Sequence, residues 1–480
     1  MSPAFWTIAA FLGEAATRVT IVAYILLRRP RPAATNLAWI VVILAVPLAG
    51  VCAYFLVGEA RLSRGRIARH AVIHRKLRQV TAIERAESRQ SAQVQPEYRA
   101  IANLATTVRE TPPTPGNTLQ LIGDTDTFVE TLEADIDAAV AHCHLVFYIY
   151  LDDVVGQRVA RALLRAAERG VACRLLVDDV GSRAFLRSRL ARRLADGGVE
   201  VVRALPANLL RLLFARIDLR NHRKVVVIDG VRGFVGSHNI ADDDFAIKRR
   251  FAPWVDAMVR LEGPAARDLQ ALFAEDWFLD TGESLEPVLS IDPPLSKQGV
   301  STQVLGTGPN SGNEGLHQLT LSAIHTANEE IVITTPYFVP DDATNAALQT
   351  AARRGVETRL IVPARNDSPL VAAASRGQYA GLLDAGVSIH EFTGGLLHAK
   401  TITFDRRLAL ITTANLDRRS FELNFESSLL VYDTDFASQL RFLQHSYLDR
   451  ATTVDAARWH ARWWPRRLWE NAAGTLSPLL

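Results

Sequence analysis

Two stretches of this chain share one polar skeleton, and any fold it adopts must accommodate both. His222 to Asn239 reads HRKVVVIDGVRGFVGSHN and His398 to Asn415 reads HAKTITFDRRLALITTAN; in each, Lys follows His by two positions, Asp by seven and Asn by seventeen. The 480 residues include five lysines, Lys76, Lys224, Lys248, Lys297 and Lys400, and two of them fall at the same offset inside the paired stretches. A second repeat lies ahead of each. RGVACRLLV at Arg169 to Val177 is echoed by RGVETRLIV at Arg354 to Val362, and GGVEV at Gly197 by AGVSI at Ala385. Helix, glycine turn and strand recur in the same order, which predicts two related α/β units of strands alternating with helices.

Residues two apart on a strand share a face, so His222 and Lys224, and likewise His398 and Lys400, are expected to project together into one cleft. The apolar runs Val225 to Ile228 and Thr401 to Phe404 suit strands buried in a sheet core. An imidazole beside an ammonium, with the Asn amides of Asn239 and Asn415 on a neighbouring strand, is a set of groups suited to a phosphate. A single His on a strand is more often structural. Two copies facing each other supply one ring to attack phosphorus and one to protonate the leaving oxygen.

The pattern H-x-K-x4-D followed by a G-S-x-N type segment, present twice, resembles the phospholipase D superfamily. The surrounding sequence, from the N-terminal apolar pair to the final SPLL, is similar to its bacterial cardiolipin synthase branch. The resemblance implies two pseudo-twofold-related α/β/α units with the active site at their interface, preceded by an N-terminal helical membrane hairpin. It implies His222 as nucleophile and His398 as acid and base. Lys224, Lys400, Asn239 and Asn415 would then hold the phosphate oxygens. It also carries Asp229 and Asp405 into the catalytic motif, although as residues they read as structural, ending buried strands and pairing nearby basic groups. Glu426 in NFESS is expected to accept the Nδ1 proton of His398, and Asp256 in WVDAM that of His222. The implied reaction converts two phosphatidylglycerol molecules into cardiolipin and glycerol through a phosphohistidine, with no metal or other cofactor. A hydrolytic phospholipase D or nuclease would use the same residues with water as acceptor. A non-enzymatic anionic-lipid binder would leave both polar skeletons unexplained. The second copy departs from the pattern, with Thr412 in TTAN where Gly is usual, and His238 in GSHN is either a spectator or a headgroup contact.

The remaining sequence is read around these two units. A net charge of +3 provides no basic field for nucleic acid. Cys52, Cys143 and Cys173 form no disulfide framework and read as buried apolar residues. His142, Cys143 and His144 make a poor metal site, because neighbours on a strand point to opposite faces. Residues 4–27 are mostly apolar, interrupted by Glu14 and Arg18 at pairing distance on a helix, and residues 37–57 carry no charge. Both are expected to span the membrane, the second more securely. The short loop carries Arg28, Arg29 and Arg31. The exit of the second span carries the heavier flank, Arg61, Arg64, Arg66, Arg69, Arg75, Lys76 and Arg78, which predicts a multi-pass cell-membrane protein with its catalytic halves on the cytoplasmic side. Residues 61–117 read as a basic helical connector broken by TPPTPG at Thr111 to Gly116. The first half is expected over 118–290 and the second over 291–450. A tail over 451–480 interleaves Trp and Arg, a composition suited either to the headgroup layer or to docking on the protein itself.

Overall fold

The computed structural model describes residues 2–27, 33–58, 62–63, 65–77, 92–206, 216, 218–244, 246–291, 293–310 and 315–475. They fall into two compact units, one made of residues 1–64 with 207–219 and the other of residues 65–206 with 220–480.

In the smaller unit, helix α1 (Pro3–Leu27) has 25 residues and no proline inside its turns. At 1.5 Å per residue it is about 37 Å long, more than the roughly 30 Å of a hydrocarbon core. Its two charges neutralise each other, Arg18 meeting Glu14 at 2.7 Å. The second apolar run is not the unbroken span expected over 37–57. It divides into α2 (Ala33–Ala45) and α3 (Pro47–Ala53), followed by a π turn at Tyr54–Gly58. Pro47 disfavours the helical conformation at the residue before it, and Val46 sits at φ −135°, ψ 79°. A Cβ on Gly50 would lie 2.8 Å from the Val42 carbonyl oxygen, so glycine permits the close approach of α3 to α2. Ile25, Ile43 and Tyr54 pack together. Among the described residues α1 alone is long and apolar enough to cross a membrane. Arg28, Arg29, Arg31, Arg61, Arg64 and Arg78, on which the expected orientation partly rests, lie outside the described residues.

The larger unit opens with helix α4 (65–77). Arg66, His70, Ile73 and Leu77 recur at spacings of four, three and four and share its inward side, while Ile67 and Val72 are exposed. Further along come α5 (Arg99–Arg109), α6 (Thr125–Asp137), α7 (Val154–Glu168), α8 (Arg183–Leu186), α9 (Arg189–Asp196) and α10 (Ala265–Thr281). Several of the flanking charges are spent on α10 and its exit. Arg66 pairs with Asp280 at 2.5 Å, Lys76 with Glu286 at 2.6 Å, and Arg69 donates to the Leu279 carbonyl. Ile73 and Leu77 pack on Ala271 and Leu289.

The N-terminal strands are β1 (Thr114–Ile122), β2 (His142–Phe147), β3 (Ala172–Asp178), β4 (Glu200–Ala204), β5 (Lys224–Ile228), β6 (Arg232–Gly236), β7 (Trp254–Val255) and β8 (Met258–Glu262). The C-terminal ones are β9 (Val300–Thr307), β10 (Glu330–Thr334), β11 (Phe338–Val339), β12 (Glu357–Pro363), β13 (Ser388–Phe392), β14 (Leu396–Leu397), β15 (Thr401–Phe404), β16 (Leu408–Thr412), β17 (Leu416–Asp417), β18 (Glu426–Val431) and β19 (Ala451–Thr453). Fifteen of them form one mixed sheet in the order β4-β3-β2-β5-β6-β8-β1-β9-β18-β16-β15-β10-β12-β13-β19. Outward from the antiparallel β1–β9 contact, each side runs through antiparallel strands to a parallel trio, β2-β3-β4 or β10-β12-β13, and β19 adds one antiparallel edge strand to the second. Strand β1 begins at Thr114, inside the stretch 61–117 expected to be connector. TPPTPG is absorbed as an irregularity in register between Thr114 and Asn117, with Gly116 at φ +78°.

Both faces of the central strands are buried, which is why their sequences run apolar without alternation. Val225 and Val227 pack on Leu269 and Phe273 of α10, while Val226 and Ile228 pack on Phe128 of α6 and Val159 of α7. Aspartates cap the helices: Asp124 Oδ1 accepts the Thr127 amide, and Asp153 Oδ1 that of Gly156. C-terminal helices α11 (Gly315–Thr326), α12 (Asp342–Arg353), α13 (Pro369–Asp384), α14 (Arg418–Glu422), α15 (Thr434–Leu448), α16 (Ala456–His460) and α17 (Trp464–Thr475) complete the chain.

Candidate active site

His222 stands two residues before Lys224, the first residue of β5, and His398 three residues before Thr401, the first of β15. The backbone beside each His is fastened to a segment that follows the other His-Lys stretch in the chain. His222 N donates to the Phe425 carbonyl at 2.9 Å, and Phe425 N to that of Arg220 at 2.9 Å. His222 is thereby laid beside Glu426, the residue that opens β18. On the other side β14 runs parallel to β7, with Leu397 opposite Val255, and His398 N donates to the Val255 carbonyl at 2.7 Å. That places His398 beside Asp256.

The acids are consequently paired the other way round from the expectation. Glu426 accepts the Nδ1 proton of His222 at 2.9 Å, and Asp256 that of His398 at 2.7 Å. Each imidazole is oriented by the carboxylate that follows the other His-Lys stretch, because the parallel backbone pairing exchanges partners across the sheet. Each carboxylate is fixed in turn by a hydroxyl. Ser237 donates to Asp256 and Thr413 to Glu426, both at 2.5 Å, and Asn424 Nδ2 donates to Glu426 at 3.1 Å. These hydroxyls fall at one common offset, fifteen residues after His in both stretches. That was a readable signal which sequence reasoning passed over.

Nδ1–H in the carboxylate bond leaves Nε2 of each ring with its lone pair. Lys224 Nζ donates to the His222 carbonyl and Lys400 Nζ to that of His398, each at 2.7 Å, so each ammonium curls back beside its own imidazole. The four groups act on one another electrostatically. Burial pushes both imidazoles down to about 4, with Glu426 and Asp256 pulling upward and the two ammoniums adding to the depression. Lys224 is held well below its ordinary value by burial and by Lys400, and burial brings Lys400 down to about 8. Burial pushes Glu426 and Asp256 upward, but the histidine partner and a buried ammonium acting on each together outweigh it and hold both below the usual carboxylate range. A buried site with two like charges and two neutral rings favours an anion.

The other expected residues are distributed unevenly. Asn415 is buried, lines a small cavity with Lys400, and its Oδ1 has no hydrogen-bond partner among the described residues. Asn239 is also buried, with Oδ1 accepting the Ile149 amide at 3.1 Å. Asp229 and Asp405 stand at the far ends of β5 and β15, roughly 17 Å along the strand from the Lys at about 3.3 Å per residue. Among the described residues neither pairs with a basic group. Asp229 accepts the amides of Val140, Ala141 and His142, and Asp405 those of Asn328, Glu329 and Glu330. Both adopt left-handed backbone conformations, at φ +53° and +51°. They anchor strand ends and do not reach the histidines.

Thr412 takes the place of the expected glycine without a clash. Its Oγ1 meets Ser428 Oγ at 2.7 Å, whereas a Cβ on its counterpart Gly236 would lie 2.3 Å from the Ala257 carbonyl oxygen. His238 is a spectator: Nε2 accepts from Thr125 Oγ1 at 2.8 Å, and its ring lies 4.7 Å from that of Phe128. His142 and His144 stack at 4.4 Å and share Gln270. Cys143 and Cys173 are buried and free, and Cys52 is exposed instead of buried.

Three further residues shape the site and were not anticipated. Tyr148 packs edge-on against His222 at 4.9 Å and lies 5.2 Å from Lys224 Nζ, while Trp254 lies 4.7 Å from His398. Fully buried Arg223 pairs with Asp276 at 2.5 Å and donates to the carbonyls of Glu426 and Thr307. It thereby ties β5 to the strand that carries the orienting acid.

The family described as "Cardiolipin synthase, PLD-like domain" matches residues 132–277 and 320–444, the two runs of strands that carry the histidines. The α/β body is thus of the phospholipase D-like class. A second family, described as "Phospholipase_D-nuclease N-terminal", matches residues 19–59. Cardiolipin synthase A of Edwardsiella ictaluri is 37% identical over 470 residues, and that of Serratia proteamaculans 38% over 460, each match covering 95% of both chains. This chain belongs to the cardiolipin synthase family. Among solved structures, phosphatidylserine synthase of Haemophilus influenzae shares the fold, with a TM-score of 0.60 and 16% identity over 80% of this chain and 98% of that one.

Proposed function

We propose that this enzyme transfers a phosphatidyl group between two phosphatidylglycerol molecules, giving cardiolipin and glycerol. His222 Nε2 attacks phosphorus of the first lipid, forming a P–N bond as the P–O bond to glycerol breaks. His398, protonated as the anionic phosphodiester enters, gives its Nε2 proton to the departing oxygen. The neutral ring then takes the proton from a terminal hydroxyl of the second phosphatidylglycerol. That oxygen attacks phosphorus and displaces His222 Nε2. Lys224, Lys400, Asn239 and Asn415 hold the non-bridging oxygens, and Glu426 and Asp256 stabilise the charge that each ring acquires.

The observation that carries this reading is the crosswise pairing of each Nδ1 with a buried carboxylate, which leaves both Nε2 atoms available beside two ammoniums. The assignment of His222 as nucleophile follows the family likeness. In the same reading, residues 118–290 and 291–450 are duplicated halves about a pseudo-twofold at the β1–β9 contact, supported by the matching strand order outward from it. Residues 1–60 attach the enzyme to the cell membrane as a hairpin, with the catalytic body on the cytoplasmic side, supported by the basic flank that follows.

Purified protein given labelled phosphatidylglycerol and excess chelator should form cardiolipin and glycerol in equal amounts. Enzyme quenched in denaturant at alkaline pH, where a P–N bond survives, should carry phosphorus label that the His222→Ala variant lacks. Phosphatidic acid as the sole lipid product would make the enzyme a hydrolase and defeat the proposal.

A further inference from the structure

The C-terminal Trp- and Arg-rich segment divides in the structure. Trp459 turns inward, stacking on Tyr379 of α13 at 4.9 Å with Arg462 lying over its other side. Glu470 and Ala473 of α17 are buried. Gly377 of α13 allows α17 to approach so closely that a Cβ there would lie 2.9 Å from the Glu470 carbonyl oxygen. The remaining large apolar residues point away from the body: Trp463 is 74% exposed, Trp464 67%, Leu468 61% and Trp469 57%. Trp464 and Leu468, four apart, share one face of α17, and that face is opposite Glu470 and Ala473.

Charge decides what covers this face. Between Asp455 and Glu470 the sequence has arginines at 458, 462, 466 and 467 and no acid. Glu470, buried, pairs with Arg462 at 2.8 Å and Arg466 at 3.2 Å. Arg458 and Arg467 remain exposed at the rim, so the patch combines indoles, a leucine and uncompensated positive charge. A second copy of the chain would bring like charges together. An acidic lipid surface satisfies both features, since indoles favour the interfacial layer and guanidinium groups pair with phosphates.

We propose that the α16–α17 face bearing Trp463, Trp464, Leu468 and Trp469, rimmed by Arg458 and Arg467, inserts into the headgroup layer of an anionic bilayer. This contact is separate from α1, and it stands whichever phosphodiester the active site processes. Full-length protein is reconstituted into vesicles of equal phosphatidylglycerol and phosphatidylcholine, some containing brominated acyl chains that quench indole fluorescence on contact. Three of the eight tryptophans lie on the patch. Their quenched emission should vanish in a Trp463→Ser, Trp464→Ser, Trp469→Ser variant, and should fall in wild type when phosphatidylglycerol is omitted. Leu468→Glu, a single exposed change, should reduce the same component if the triple variant folds poorly. Quenching equal in wild type and variants would overturn the proposal. So would a patch protected in wild type whose loss converts a dimer to a monomer, because the occupant would then be protein.

Discussion

The crosswise acid–imidazole pairing makes Glu426→Gln the most informative substitution. Gln keeps the shape, and its Oε1 still accepts the Nδ1–H of His222, now 2.9 Å from a carboxylate oxygen. What it removes is a buried unit charge about 4 Å from the positive charge that the ring acquires, worth roughly 4 kcal/mol at an effective dielectric near 20. At about 1.4 kcal/mol per tenfold, kcat should fall about 10²- to 10³-fold. The sign of the accompanying pH effect follows from the same contact. Glu426 raises the His222 pKa against burial, so its loss lowers that pKa further and extends the neutral form to lower pH. The assay compares phosphatidylglycerol with phosphatidyl-p-nitrophenol, whose leaving group needs no proton. Glu426→Gln should respond to this exchange as His222→Ala does, and Asp256→Asn as His398→Ala does. If Glu426→Gln instead tracks His398→Ala, the carboxylates serve the histidines of their own stretches and the geometry described above is wrong.

Lys400, at about 8, is charged below that pH and loses its proton above it, so affinity for the lipid phosphate should weaken as pH rises through 8. Lys400→Arg should carry that limb upward by a unit or more in a KM–pH profile. Asp229→Ala leaves three backbone amides without their acceptor; those of exposed Val140 and Ala141 turn to water, and the buried His142 amide left unpaired should cost about 1–3 kcal/mol of stability in a denaturation assay. The folded fraction should keep kcat within a few-fold, and a thousandfold loss of kcat without loss of stability would return Asp229 to the chemistry. Gly236→Ala should destabilise and inactivate together, because its Cβ collides with the Ala257 carbonyl next to Asp256. Thr412→Gly should cost about 2–3 kcal/mol, from the lost bonds to Ser428 and the Ala414 amide and the backbone freedom of glycine, without inactivating the enzyme.

Much of this protein was legible before any coordinates. The paired His-x-Lys skeletons and the apolar strands behind them follow from spacing and side-chain chemistry, which act over a few residues and survive in any fold. The proline inside the second apolar run was equally visible. Pro47 breaks the helix by local sterics, and hydropathy alone concealed it.

The partners of the histidines belong to another order of information. Glu426 follows His398 in the chain and Asp256 follows His222, so proximity along the chain suggested the uncrossed pairing. The parallel contacts Phe425–Asn221 and Leu397–Val255 exchange them. Tertiary structure likewise decided that Asp229 and Asp405 hold strand ends, that Arg223 ties two distant strands, and that Trp459 turns inward while three other tryptophans face out. Sequence determined which groups are present and at what local spacing. Which of them touch depends on backbone hydrogen bonds between strands some two hundred residues apart, and those contacts leave no periodic trace in either segment.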